Sequence, residues 1–216
     1  MNKKQYVKTE INNPDIVMLD GWLENWFWPV KDEVMWDYLY SRRDAPIELS
    51  KYCESKNSVI QAGGNIGYYP KKYSKLFKNV YTFEPDSLNF NCLTLNTLDC
   101  PNIFKFQAGL GSENKTFSLD IDGRNCGGHK MGNIIMEGNI PIFKIDNLGL
   151  KDVSLIHLDV EGQEENCLRG AIETIKLCKP IIIIEIAWSN ASGFLEEIGY
   201  NRIGSLEEDN VFEFKG

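Results

Sequence analysis

From residue 58 onward, short apolar runs rich in β-branched and aromatic residues alternate with stretches of helical period, as in an α/β domain with a parallel sheet. The pattern predicts strands over 58–62, 80–84, 103–107, 153–159 and 180–186, with helices near 70–77, 87–98 and 163–177 between them. Pro70 suits the first turn of its helix, where a missing N–H costs nothing, and Asp86 can cap the next. The run Ile181-Ile182-Ile183-Ile184 shows no alternation, which predicts a strand in the middle of the sheet with helices on both faces. An amphipathic piece at 193–198, followed by 202–204 and 211–214, predicts a last helix and an antiparallel C-terminal hairpin.

Two segments stand outside this alternation. Residues 1–57 form an aromatic-rich extension holding Trp22, Trp26, Trp28 and Trp36, which reads as a lid, a core layer or a dimer contact. Residues 58–216 read as the catalytic domain, with an inserted β/loop segment at about 112–145. That insert predicts strands at 116–121 and 140–145 around the loop Asn125-Cys126-Gly127-Gly128-His129.

With 216 residues, 43% of them hydrophobic and 25% charged, the chain can bury a substantial core as one domain. No run reaches the roughly 18 to 20 apolar residues of a membrane span, and the start Met1-Asn2-Lys3-Lys4-Gln5 is polar, so a cytoplasmic location is expected. The six cysteines include no Cys-x-x-Cys pair, which argues against a zinc site or a disulfide framework. A formal net charge of -8 makes nucleic acid an unlikely partner, since the surface repels phosphates. The pairs Lys71-Lys72 and Arg42-Arg43 read as solvated surface.

Chemistry enters with Val59-Ile60-Gln61-Ala62-Gly63-Gly64-Asn65-Ile66-Gly67, a strand running into a glycine-rich turn that opens a helix. Glycine there lets the backbone approach a ligand and adopt positive φ. The spacing Gly63, Gly64, Gly67 does not match the G-x-G-x-x-G of dinucleotide enzymes. About twenty residues on, Glu84 ends the next strand, where a carboxylate can accept hydrogen bonds from both hydroxyls of a ribose. Together the two motifs point to an adenosine-containing cofactor bound without a phosphate cradle.

These residues resemble the FkbM family of methyltransferases, whose pattern is D-V-G-A-N-I-G, then F-E-P, then D-V-E-G-x-E. The chain offers Gln61-Ala62-Gly63-Gly64-Asn65-Ile66-Gly67, Phe83-Glu84-Pro85-Asp86 and Asp159-Val160-Glu161-Gly162-Gln163-Glu164, over roughly residues 58 to 187. Asn89, Asn96 and Ala108-Gly109-Leu110-Gly111 add smaller matches. The resemblance implies a Rossmann-like class I methyltransferase fold, with a mostly parallel central sheet and S-adenosylmethionine at the strand C-termini. It implies cofactor contacts from Gln61, Ala62, Gly63, Gly64, Asn65 and Gly67 in the glycine turn. Glu84, Pro85, Asp86, Asn89 and Ala108 complete that set. One departure is plain: the family's first acid, which helps hold the amino end of the cofactor, is Gln61 here. Restoring it by Gln61→Asp is expected to keep or tighten cofactor binding.

The resemblance also suggests O-methylation of a sugar or another small metabolite, and a monomer or homodimer is expected. Asp159 and Glu161 fall at the end of a strand and on one side of it by alternation, where they could act as a base or hold a divalent cation; no dedicated metal site is expected. Capping of the following helix is the alternative role. His157, on the same side, reads as a hydrogen-bonded core residue, whereas His129 is either a base over the crevice or a surface histidine. Glu185 and Trp188 could line the same pocket. Methylation of a nucleotide, nucleic acid or protein, and a module that binds the cofactor without catalysis, remain as alternatives.

Overall fold

The computed structural model describes residues 5–7, 13–120, 124–128, 130–131, 139–185 and 190–216. The main sheet has seven strands: β1 (Ser58–Ala62), β2 (Asn79–Phe83), β3 (Ile103–Phe106), β4 (Val153–Leu158), β5 (Ile181–Glu185), β6 (Tyr200–Leu206) and β7 (Asp209–Phe214). Their order is β6-β7-β5-β4-β1-β2-β3, parallel from β5 to β3 and antiparallel at the C-terminal hairpin. The Ile-rich strand is therefore β5, one place off the centre, because the hairpin extends the sheet beyond it; β4 is the middle strand. Its lack of alternation still has the expected cause. Ile182 and Ile184 enter one core, with Ile60, Ile156 and Leu158, while Ile181 and Ile183 enter the other, with Val59 and Leu155.

Helices Tyr68–Ser74 and Ser87–Asn96 follow β1 and β2, and Asp86 accepts the Asn89 N–H at 2.8 Å as a cap. The single helix expected over 163–177 is two, Glu164–Arg169 and Ile172–Cys178. The break falls at Gly170, where a Cβ would lie 1.9 Å from the Gly111 carbonyl oxygen. Asp146 then caps the second piece, accepting the Thr174 N–H at 2.8 Å. In the insert, the strand expected over 116–121 divides into Lys115–Phe117 and Leu119–Asp120. The first pairs with Ile140–Phe143, and the second with Lys130–Met131.

The amino-terminal part is folded against this frame. Strands Gln5–Val7, Ile16–Asp20 and Trp26–Pro29 make an antiparallel sheet, followed by helices Met35–Ser41 and Ala45–Ser50. Trp26, Trp28 and Trp36 bury with Leu19, Ile66, Tyr68 and Cys92, so the tryptophans form a core layer. Asn96 ties this layer to the sheet: its Oδ1 accepts the Phe27 N–H at 2.8 Å, and its Nδ2 donates to the carbonyls of Phe27 and Ile66. Among the described residues, no helix is long and apolar enough to cross a membrane.

Candidate active site

A cavity of about 220 Å³ opens at the C-terminal ends of the parallel strands. Its floor begins at the turn after β1. Gly63 has φ +83°, and a Cβ there would lie 2.0 Å from the Asp159 carbonyl oxygen. Only glycine lets the turns after β1 and β4 pass this closely. The N–H groups of Gly63 and Gly64 both donate to the Phe83 carbonyl, which locks the turn onto the end of β2.

Glu84 follows β2 and is buried. Its Oε2 accepts the Asn65 N–H at 2.6 Å and its Oε1 accepts the Asp86 N–H at 2.8 Å. Each carboxylate oxygen thus holds one backbone donor. Burial pushes the Glu84 carboxyl up to about 7, against the lowering effect of those two N–H groups and of the Asn89 side chain. Beside it, the Asn89 Nδ2 donates to the Cys126 carbonyl at 2.7 Å, while its buried Oδ1 has no partner. Asn65 donates to the same carbonyl at 2.8 Å, so two asparagines pull the Asn125–Gly127 loop over the cavity.

Across the sheet stand the acids. Asp159 and Glu161 follow β4 and Glu185 ends β5, and one oxygen from each lies within 4.8 Å of the others. Strand alternation does not place Glu161. The strand stops at Leu158, and Glu161 reaches the group from a turn at φ +51°. Glu164 Oε1 accepts the N–H groups of Val160 and Gly162 in this turn. Burial, then the charges of Glu185, Asp209 and Glu161, hold the Asp159 carboxyl well above the usual carboxylate range. Burial, then a hydrogen bond with Glu208, raises Glu185 to about 7.

Beneath the acids lies a buried network. Asp209 is 3% exposed in its side chain and takes Arg42 Nη2 at 2.5 Å, with His157 Nε2 at 3.6 Å. Burial raises the Asp209 carboxyl, but His157 and Arg42 outweigh it and hold the group low. Arg42 is thus no solvated surface residue: it is buried and anchors Glu207 and Asp209 of the hairpin. His157 is a core residue, its Nδ1 2.9 Å from the Tyr73 hydroxyl.

Ala62, Gly63, Gly64, Asn65, Glu84 and Pro85 line the cavity, as do Asn89, Ala108, Asp159, Glu161 and Glu185. Gln61, Gly67 and Asp86 do not. Gln61 is a brace for the turn: Nε2 donates to the Ala62 and Gly63 carbonyls at 3.2 and 2.8 Å, and Oε1 accepts the Thr82 hydroxyl at 2.7 Å. Gly67 starts the helix and Asp86 caps the next. His129 and Trp188 lie outside the described residues. Sequence reasoning missed Val34, Met35, Tyr38 and Tyr69 of the wall, and Glu208 from the hairpin. It also missed Asp32, whose carboxylate accepts from Trp28 Nε1 at 2.8 Å, from Met35 N and from Cys126 N. Nothing local marks these positions, apart from Glu164, which stood unassigned inside a recognised motif.

A buried carboxylate beside a glycine turn, on a mostly parallel seven-stranded sheet with an antiparallel C-terminal hairpin, is the arrangement of a class I methyltransferase fold. The sequence matches the Methyltransferase FkbM domain over residues 61–202, and the chain belongs to that family. Similar solved structures include the FkbM methyltransferase from Methylobacillus flagellatus KT, at 19% identity and a TM-score of 0.50, covering 74% of this chain and 43% of that one. The chain therefore spans less than half of that relative's length. A SAM-dependent methyltransferase from Aquifex aeolicus is 15% identical, with 80% and 92% coverage and a TM-score of 0.47. TrmK of M. capricolum, solved with S-adenosylhomocysteine, is 10% identical, with 78% and 66% coverage and a TM-score of 0.46. No curated protein matches the sequence.

Proposed function

We propose that this chain transfers a methyl group from S-adenosylmethionine to a hydroxyl of a small metabolite such as a sugar. One observation carries the reading: a cavity with the buried Glu84 carboxylate on one side has three converging carboxylates, Asp159, Glu161 and Glu185, on the other. The residues fit the cofactor. The Glu84 carboxylate can accept from the ribose hydroxyls, and the unpaired Asn89 Oδ1 awaits a donor from the same ligand. Phe83, Ala108, Phe117 and Leu119 supply an apolar wall for the base.

When bound, S-adenosylmethionine supplies a sulfonium methyl for in-line displacement. The chain's own residues must then align the acceptor and take up its proton. Glu185, raised to about 7, is roughly half ionised at neutral pH, which suits a general base. Glu161 beside it can accept hydrogen bonds from further hydroxyls, and Tyr38 and Tyr69 stay protonated as donors because burial raises both. Among the described lining residues none is Lys, Arg or His, which favours an acceptor without phosphate. Glu161→Gln and Glu185→Gln test the assignment. Each should lower turnover about a hundredfold while the melting temperature holds, as expected for loss of a base. Full turnover in both variants would make the acids structural.

A further inference from the structure

The amino-acid arm of S-adenosylmethionine ends in an ammonium, which needs an anionic or carbonyl partner on the cavity wall. Gln61, at the position after which the glycine turn begins, cannot serve. Its side chain is 2% exposed and directed into the turn, donating to the Ala62 and Gly63 carbonyls and accepting the Thr82 hydroxyl. It contributes nothing to the cavity lining.

The next carboxylate along the wall belongs to Asp159. Its N–H donates to the Ala62 carbonyl at 3.2 Å, and its own carbonyl presses against Gly63. A Cβ built on Gly63 would lie 3.5 Å from the Asp159 Cβ, so this acid's side chain starts at the glycine turn itself. The sheet order gives the direction. Glu84 follows β2, the glycine turn follows β1, and Asp159 follows β4, the neighbour of β1 on the far side. Two strand spacings, about 10 Å, separate the ribose acid from Asp159, with the glycine turn as the floor between them. An arm leaving a ribose held at Glu84 and running across the glycines arrives at the Asp159 carboxylate.

We infer that Asp159 holds the cofactor's ammonium in this chain, and that Glu161 and Glu185 are left to the acceptor. The inference rests on the cofactor reading above and divides the three acids by function. It also accounts for the electrostatics. Asp159 sits among Glu185, Asp209 and Glu161, whose charges raise its carboxyl, and a resident cation at this point relieves that repulsion. Asp209 is paired with the buried Arg42 and does not line the cavity, so it is not available to a ligand.

The test uses two ligands that share the adenosine and thioether but differ in the arm. S-adenosylhomocysteine carries the amino acid, whereas 5′-methylthioadenosine lacks it. Asp159→Asn should weaken S-adenosylhomocysteine about ten- to a hundredfold in calorimetry, the range for losing a hydrogen bond to a charged group, and leave methylthioadenosine within about twofold. An unchanged ratio of the two affinities would overturn the inference while leaving the cofactor reading standing. Failure of both ligands to bind the parent protein would overturn both. Because Asp159→Asn could unfold, the parent protein supplies a second arm: S-adenosylhomocysteine stripped of its amine should bind about tenfold or more weaker. Equal affinity with and without the amine refutes the role. Chelation of divalent ions should change none of these values, and loss of S-adenosylhomocysteine binding on chelation would assign the acids to a metal instead.

Discussion

Adenosine binding should depend on pH through Glu84, and 5′-methylthioadenosine isolates that effect because it carries no ammonium to involve the other acids. The carboxyl is 4% exposed and raised to about 7, with burial as the largest cause. Only the ionised form keeps its two backbone donors and still accepts from both ribose hydroxyls; a proton on either oxygen removes one acceptor site. The ionised fraction climbs from about one tenth at pH 6 to about nine tenths at pH 8, so the affinity should improve about tenfold across that range. At pH 7 binding should release about half a proton, read by calorimetry in two buffers of different ionisation enthalpy. The sign for stability is the opposite. A folded carboxyl raised from 4.5 to about 7 favours the fold fully below pH 4.5, and that contribution is lost as pH rises toward 7. The loss is about 3 kcal/mol at most, so the ligand-free protein should be less stable at pH 8 than at pH 5 from this group. Glu84→Gln should bind weakly and without pH dependence. A flat affinity from pH 6 to 8 in the parent protein would refute the assignment of this acid to the ribose.

Three further outcomes follow from the packing. Gly63→Ala places a Cβ 2.0 Å from the Asp159 carbonyl oxygen at positive φ, and should cost about 3 kcal/mol, or roughly 6–12 °C in melting temperature; a shift under 2 °C would mean the two turns can separate. Asp32→Ala removes the acceptor for Cys126 N, and S-adenosylhomocysteine should bind several-fold weaker as the Asn125–Gly127 loop loosens; hydrogen exchange at Cys126 and Gly127 should rise, and unchanged exchange would contradict the role. Gln61→Asp, which the family pattern favours, should now lower stability by about 1–3 kcal/mol without improving affinity, because it removes both donations from Nε2 and faces a carboxylate toward two carbonyls; tighter cofactor binding by this variant would restore an amino-end role for position 61.

The order and type of the sheet elements were legible because β-branched runs such as Val59-Ile60 and Ile181–Ile184 are buried on both faces, a property carried by local sequence. The place of Glu84 in the cavity wall was legible for a different reason: it follows a strand end, where the sheet opens onto the cavity. The break at Gly170 was hidden, since its cause is the Gly111 backbone across the domain. Arg42 and Asp209 were hidden by 167 residues of separation, and an arginine beside another arginine reads as surface until its partner is seen. Gln61 kept the right place but not the expected contact. Its neighbours Thr82 and the Gly63 carbonyl compete for the amide, and that competition exists only once β1 and β2 are paired.

Methyl transfer itself can be read by mass spectrometry. The purified chain is incubated with S-adenosylmethionine bearing an isotope-labelled methyl and with an extract of small metabolites. S-adenosylhomocysteine should form above the protein-free control, together with a matching amount of a small molecule carrying the label on oxygen. If the protein binds the cofactor yet yields neither product in any extract, it is a binding module and the account is contradicted.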